Sequence, residues 1–199
     1  MEAIGTGGGG MKTRTSRRAR MRILATSALA VLALAAIVPS QASAARCPGA
    51  YMTPGNATMT QLHDATLCLL NAERRKHRLT PVRQDERLRL AATRHSKDMV
   101  NRRYFSHYSP GGASMTDRIR KTSYISSVRS WAIGENIAWG SGRYATPHSI
   151  VDMWMHSAGH RANILARNFR EIGIGIARGA PVRGQQDAGT FTTDFGVRG

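Results

Sequence analysis

Cysteine is nearly absent from this sequence. Only Cys47 and Cys68 occur, so a single intramolecular pairing exists, and a metal or redox role lacks a second thiol close by. Acidic residues are also few, 12 against 29 Lys and Arg. The excess is about +12 in residues 45–199, a charge that attracts anionic partners without selecting among acidic wall polymers, lipid headgroups and stray nucleic acid. Aromatic residues, 6% of the chain, are not gathered with the basic ones into a stacking stripe, so no specific nucleic-acid partner is expected. Also missing is an apolar run of the roughly 20 residues that a membrane-spanning helix needs. After the N-terminal segment there are no repeats and no low-complexity tracts.

That N-terminal segment has a pattern of its own. MKTRTSRRARMR (11–22) is basic, residues 23–38 are apolar, Pro39 follows, and Ala42-Ser43-Ala44 offers the small residues that a signal peptidase accepts. This is the order of a secretory signal peptide, with residues 1–44 as leader and cleavage expected before Ala45; an uncleaved anchor is the alternative. Arg46 stands where a lipoprotein signal needs a small residue, so lipid on Cys47 is not expected. MEAIGTGGGG precedes the basic stretch, and Met11 or Met21 is the expected start. In an exported chain Cys47 and Cys68 can pair. The bond would tie an N-terminal strap, residues 45–58, to the first helix, and closing a loop of about 20 residues contributes roughly 3 kcal/mol.

Residues 59–199 read as one domain. Apolar residues recur at three and four from Thr58 to His77, with Thr58 or Thr60 as N-cap, and again from Asp85 to Arg102, where Leu88, Ala91, Ala92, His95 and Met99 share a side. YFSHYSPGGAS (104–114) is a loop, and a short helix follows from Met115 to Lys121. Ser130 to Trp139 alternates as a strand that Gly140-Ser141-Gly142 should end. Pro147 opens a third long helix through Met155, which Ser157-Ala158-Gly159 should stop or tighten. Glu171 to Arg178 and Thr190 to Gly196 are two further strands. Helices with a small three-stranded antiparallel sheet make an α+β layered domain.

His156 and His160 stand four apart in WMHSAGHRANIL (154–165), the spacing that brings two imidazoles to one zinc in the H-E-x-x-H proteases. That mechanism needs a carboxylate directly after the first His, as base for the metal-bound water. Ser157 occupies the place, and Gly159 weakens the helix, so the zinc-protease reading fails. Glu135, in the strand GENIAWG, carries a charge within apolar sequence and needs a cation or donors nearby. His107 is the single His of the aromatic loop. Ser106 and Ser109 beside it lack a G-x-S-x-G elbow. His63, His77, His95 and His148 have no partners at useful spacing and read as surface or satisfied core groups. Trp131, Trp139 and Trp154 read as core or cleft wall, and Arg161, Asn163 and Ile164 as structural residues of a helix-to-strand corner.

Six blocks in order, LLNAERRKHRL (69–79), HSKDMVNRRYFSH (95–107), GENIAWG (134–140), WMHSAGHRANIL (154–165), EIGIGIA (171–177) and TFTTDFG (190–196), carry a family resemblance. From Leu62 to Gly196 the chain resembles the CAP superfamily, the SCP domain of cysteine-rich secretory, antigen 5 and pathogenesis-related proteins, in its short bacterial form. The resemblance implies an α-β-α sandwich with a large open cleft, where two His and one or two Glu converge and sometimes hold a divalent metal. His107, Glu135 and His160 match that set, with Asn136, Ser157 and His156 as neighbours; His160 then belongs to the cleft, while His156 points elsewhere from the helix surface. Many family members carry a second Glu three residues after the helix Trp, and here that position is Ser157. Three ligands and an open position remain for a zinc, without a second carboxylate to act as base.

Three functions follow as expectations. The first is a secreted or envelope-associated CAP protein, monomeric, that binds an extracellular ligand through the His/Glu cleft, with an anionic envelope polymer or lipid as partner. The second is a metal-dependent extracellular hydrolase using His107, Glu135 and His160, with zinc the best-suited metal. The third, lipid or sterol carriage, is suggested by the resemblance and depends on a hydrophobic loop that the sequence does not display.

Overall fold

The structure is a computed structural model that describes residues 47–199; the expected leader, residues 1–44, and its cleavage before Ala45 lie outside the described residues. Helix starts are set by local chemistry. α1 (Met59–Lys76) begins at Thr58, whose side chain accepts from Gln61 N–H while the Gln61 side chain accepts from Thr58 N–H. This reciprocal pair satisfies two of the donors that a helix start leaves open. Asp85 caps α2 (Glu86–Arg102) by accepting from the N–H groups of Arg87 and Leu88. Ser114 and Asp117 form a second reciprocal pair at α3 (Met115–Arg120). Thr146 caps α4 (Pro147–Met155), with Pro147 at the position where a missing N–H is harmless.

The WMHSAGHRANIL segment holds more than the expected helix end. α4 stops at Met155, and a separate helix, α5 (Ala158–Leu165), starts after Ser157. His156 therefore caps the end of α4, and His160 lies on α5.

The strands are β1 (Arg83–Gln84), β2 (Trp131–Ser141), β3 (Glu171–Arg178) and β4 (Ala188–Arg198). They form one sheet in the order β1-β3-β4-β2, antiparallel except for the parallel β1–β3 pair. The expectation of three strands is thus corrected to four. A two-residue strand carries no alternation by which a sequence could announce it. β2 also runs through Gly140 and Ser141, which pair with Gly189 and Ala188 instead of ending the strand.

The sheet lies between two helical layers, the expected α-β-α sandwich. Leu62, Leu69 and Leu70 of α1, Ile150, Val151 and Trp154 of α4 and Ile164 of α5 pack with Ile172, Ile174, Ile176, Phe191 and Phe195 on one face. Leu88 and Ala91 of α2 and Ile119 of α3 cluster on the other with Tyr124, Ile125 and Ile133. The glycines of EIGIGIA explain how α2 seats. A Cβ on Gly173 would lie 2.0 Å from the Leu88 carbonyl carbon, and one on Gly175 2.1 Å from that of Ala92. Helix backbone rests on strand backbone, and a side chain at either position would push them apart.

Two tethers close the α1 side. Cys47 and Cys68 are disulfide-bonded across a separation of 21 residues, as expected for the strap. Arg74, fully buried, donates to Thr80 O at 2.9 Å, Ile164 O at 2.7 Å, Ala166 O at 3.0 Å and Phe169 O at 3.2 Å. One guanidinium thereby holds the end of α1 to the corner between α5 and β3.

Candidate functional site

β2 supplies the centre of the site because its two faces carry different chemistry. Asn136 turns to the α5 layer, where its Nδ2–H donates to His160 O at 3.0 Å. Asn163 Nδ2–H donates to Asn136 Oδ1 at 2.9 Å and to Glu135 O at 3.1 Å. These amides dock α5 on β2, the structural role expected for Asn163. Glu135 turns to the other layer and is buried.

Burial of a carboxylate is tolerated when donors surround it. His107 Nδ1–H donates to Glu135 Oε1 at 2.8 Å, and Arg118 Nη2–H donates to Oε2 at 2.6 Å. Arg118 also donates from Nη1 to His107 O at 2.9 Å and to Ala113 O at 3.1 Å, so one side chain fixes both the carboxylate and the loop that brings His107 to it. His95, read from the sequence as a surface or satisfied core group, is the second of these, buried with its Nε2 3.1 Å from Ser106 O, and it also comes within 4.0 Å of Glu135 Oε2. Tyr104 O–H donates to Asp98 Oδ2 at 2.5 Å, anchoring the start of the same loop.

Electrostatics follow from this packing. Burial pushes the Glu135 carboxyl up, but the His107 hydrogen bond, the Arg118 guanidinium and His95 outweigh it and hold the group below the usual carboxylate range. Asp194 stands directly opposite Glu135 in the β2–β4 ladder, is fully buried, and receives no hydrogen bond on either carboxyl oxygen. Burial and the neighbouring Glu135 charge push it well above the usual range, against the pull of Arg118. Burial likewise lowers His95, with the Glu135 charge opposing. His160 is lowered by burial and then by His107, which favours its neutral imidazole.

The structure brings two of the three expected residues into contact. His107 and Glu135 share a hydrogen bond, whereas His160 is joined to β2 through its backbone carbonyl. His156 caps the end of α4, points to solvent and places Nδ1 2.8 Å from Asp152 O. Ser157 begins α5 without a side-chain cap bond. Arg118, His95 and Asp194 were missed. Asp194 carried the signal that singled out Glu135, a charge inside an apolar strand, but nothing in sequence pairs the two. Arg118 reads as one more surface cation of a short helix.

Chemically, a carboxylate that accepts from Nδ1–H fixes the His107 tautomer and leaves Nε2 with its lone pair. The side chain is 49% exposed, so that nitrogen can accept a hydrogen bond or a proton, or hold a metal. Glu135 itself has both oxygens occupied. Among the described residues no group of three His, Cys, Asp or Glu is arranged to hold a metal ion.

Residues 67–194 match the family described as CAP, the cysteine-rich secretory protein family. Over 121 residues the chain is 41% identical to YkwD of Bacillus subtilis (strain 168), a match that covers 61% of this chain and 44% of YkwD. A crystal structure of an extracellular protein containing an SCP domain, from Bacillus anthracis str. Ames, aligns with a TM-score of 0.53 at 27% identity, over 71% of this chain and 44% of that one. An outer surface protein from Borrelia burgdorferi aligns with a TM-score of 0.60 over 72% of this chain and 97% of its own, at 19% identity; that likeness concerns the fold alone. The chain thus spans less than half the length of YkwD and of the SCP-containing protein. Among the described residues no helix is long and apolar enough to cross a membrane.

Proposed function

The chain belongs to the cysteine-rich secretory protein (CAP) family, and we propose that it is exported and acts outside the cell as a binding protein, holding an anionic envelope component at the surface around His107. The observation that carries this reading is the closure of Glu135: with His107 on one oxygen, Arg118 on the other and its side chain 2% exposed, the carboxylate serves to set the loop and is shielded from the water it would have to activate. What the loop offers outward is a half-exposed imidazole between Phe105 and Tyr108, which are 46% and 63% exposed. Arg102 and Arg103, both exposed, precede them. A basic and aromatic surface on a clamped loop suits recognition better than turnover. The extracellular description of the SCP-containing structural relative agrees with export.

The test is binding of the full chain to a glycerol-phosphate teichoic acid at about 0.05 and 0.5 M salt, with His107→Ala alongside. Expected is salt-sensitive binding that the variant weakens about fivefold, the worth of one hydrogen bond from a polymer hydroxyl to His107 Nε2. Turnover of a peptide, ester or glycan by the wild type, lost in His107→Ala, would replace this reading with a hydrolase.

A metal-dependent hydrolase is the second reading, and one observation favours it. The Glu135 hydrogen bond to His107 Nδ1–H is the kind of carboxylate support that metal-binding imidazoles receive, and His160 is held toward its neutral form. A metal would supply Lewis-acid activation of a scissile group or water. Zinc calorimetry decides it: one-to-one binding lost in both His107→Ala and His160→Ala supports the metal, and no heat of binding removes it.

A further inference from the structure

The segment that leaves α1 and the corner that leads into β3 lie side by side. The Arg74 guanidinium joins them, through Thr80 O on one side and Ile164, Ala166 and Phe169 O on the other, and Arg83 N–H donates to Arg170 O at 2.9 Å. Leu79, Val82, Ile164 and Phe169 turn inward and are buried. The outer side is left mainly to Arg78, Arg83, Arg167 and Arg170, all exposed.

Among the described residues no carboxylate pairs with any of these four arginines. The acidic groups nearest in the chain are already taken: Glu73 by Lys76, Asp85 by Arg87 and Arg198, and Glu171 by Arg198 and Tyr124. Arg170 donates to the carbonyls of Arg167 and Phe169, bonds that hold the side chain without neutralising it. Its charge reaches Arg74, whose pKa is lowered by burial and then further by Arg170. Arg75 and Lys76 stand in the last turn of α1, where cations complement the helix dipole. The four arginines beyond the helix have no such structural reason. Arg78 also takes a left-handed conformation, φ 55°, at the helix exit where Leu79 N–H donates to Arg74 O and Arg78 N–H to Arg75 O. Glycine is the easier residue at that position.

Guanidinium groups pair with phosphate oxygens as two-pronged donors. Phe169 is the single Phe, Tyr or Trp in residues 75–83 and 164–170 and is buried, so no ring is offered for a nucleic-acid base to stack on. With the larger apolar side chains inside, nothing is offered for insertion into hydrocarbon either. A dissolved polyanion must surrender chain freedom to match a fixed array of cations, whereas the headgroups of a bilayer already stand in a plane. We infer that this face docks the protein on an anionic phospholipid membrane, with Arg78, Arg83, Arg167 and Arg170 against headgroup phosphates and no side chain of the face entering the hydrocarbon. The inference is independent of the ligand proposed at His107, whose site shares none of these residues.

The experiment is co-sedimentation with vesicles of phosphatidylcholine, alone or mixed with phosphatidylglycerol, at low and high salt. It uses residues 45–199, whose core, sheet and disulfide lie within the described residues, because the basic and apolar stretches of the leader would bind membranes by themselves. Expected is binding that requires phosphatidylglycerol and weakens with salt. Combining Arg78→Gln, Arg83→Gln and Arg167→Gln should weaken it roughly a hundredfold, about fivefold for each arginine near the headgroups, with the melting temperature checked against the wild type. Combining Arg94→Gln, Lys97→Gln and Arg183→Gln removes the same charge from α2 and the β3–β4 loop, and should weaken binding no more than about threefold. His107→Ala should bind the vesicles as the wild type does, which separates this face from the His107 ligand. The inference is overturned by no binding to phosphatidylglycerol vesicles, by equal binding without phosphatidylglycerol, by equal losses in the two triple variants, or by a face that holds a soluble glycerol-phosphate polymer and not the vesicles.

Discussion

Two buried charges in this molecule are solved in opposite ways. Arg74 is closed off from solvent and satisfied by carbonyl oxygens of the corner that follows α5; among the described residues no carboxylate pairs with it. Glu135 is nearly as buried but is matched by charged or chargeable groups, Arg118, His107 and His95, one of which reaches the surface. The first arrangement has no route to solvent and nothing to exchange with a ligand. The second transmits the state of an exposed imidazole to a buried carboxylate. Burial alone therefore does not mark a functional charge; the chemistry and exposure of its partners do.

The comparison breaks most severely at Arg74. Arg74→Met keeps much of the apolar stem and removes every donor, leaving the carbonyls of Thr80, Ile164, Ala166 and Phe169 without that partner. A loss of about 3–5 kcal/mol is expected, since orphaned buried groups exact their full desolvation penalty. Urea unfolding measures it. A loss under about 1 kcal/mol would mean that water replaces the guanidinium and that the corner does not depend on it.

Glu135→Gln should destabilise less, about 2 kcal/mol, because Arg118 retains its bonds to His107 O and Ala113 O. Its effect on the site should be larger. Gln has one carbonyl for two donors, and because Arg118 cannot accept, that oxygen should turn to Arg118 and set an amide N–H against His107 Nδ1, reversing the tautomer that the carboxylate fixes, so ligand binding at the outer face should fall. Imidazole nitrogen shifts of His107 report the tautomer directly. Unchanged shifts and unchanged binding would reduce Glu135 to a packing residue like Arg74.

How much of this contrast was legible beforehand depends on distance along the chain. Caps are local: Thr58 with Gln61, Asp85, and Thr146 before Pro147 occupy the helix starts that composition and periodicity indicate. Glu135 was legible as a charge out of place, and His107 through the blocks that resemble a family. Arg74 sits in one of those blocks, but its partners lie up to 95 residues away, and nothing in LLNAERRKHRL tells it apart from Arg75. Asp194 and Arg118 became visible only when strand pairing put Asp194 opposite Glu135 and α3 brought Arg118 to the same carboxylate. β1 was silent for a different reason, since two residues carry no period.

Asp194 sharpens the comparison through pH. Its folded pKa is raised, so its contribution to stability is complete below the unfolded carboxyl pKa and is lost as pH rises through the folded value. Glu135 is depressed, so its contribution is present above the unfolded value and is lost as pH falls through the folded one. Asp194→Asn keeps the shape and cannot ionise. Relative to the wild type, the variant should gain stability from acid to alkaline pH, while Glu135→Gln should gain as pH falls below the ordinary carboxylate range. Urea midpoints over a pH series check both trends. A constant difference between Asp194→Asn and wild type across the series would show that Asp194 ionises in the fold as easily as outside it.

The smallest effect is expected next to the largest. Lys76 Nζ lies 2.7 Å from Glu73 Oε1, the same separation as Arg74 Nη1 from Ile164 O. The Lys76 and Glu73 side chains keep 34% and 20% of their exposure, so water and salt already solvate much of what the pair provides. Glu73→Ala should change stability by no more than about 0.5 kcal/mol, and less at high salt. If instead it cost as much as Arg74→Met, contact distance would be setting the energy in this part of α1. If the two differ severalfold at equal distance, the worth of each contact comes from what the partner loses when left alone: a carbonyl sealed in the corner, or an ammonium that turns to water.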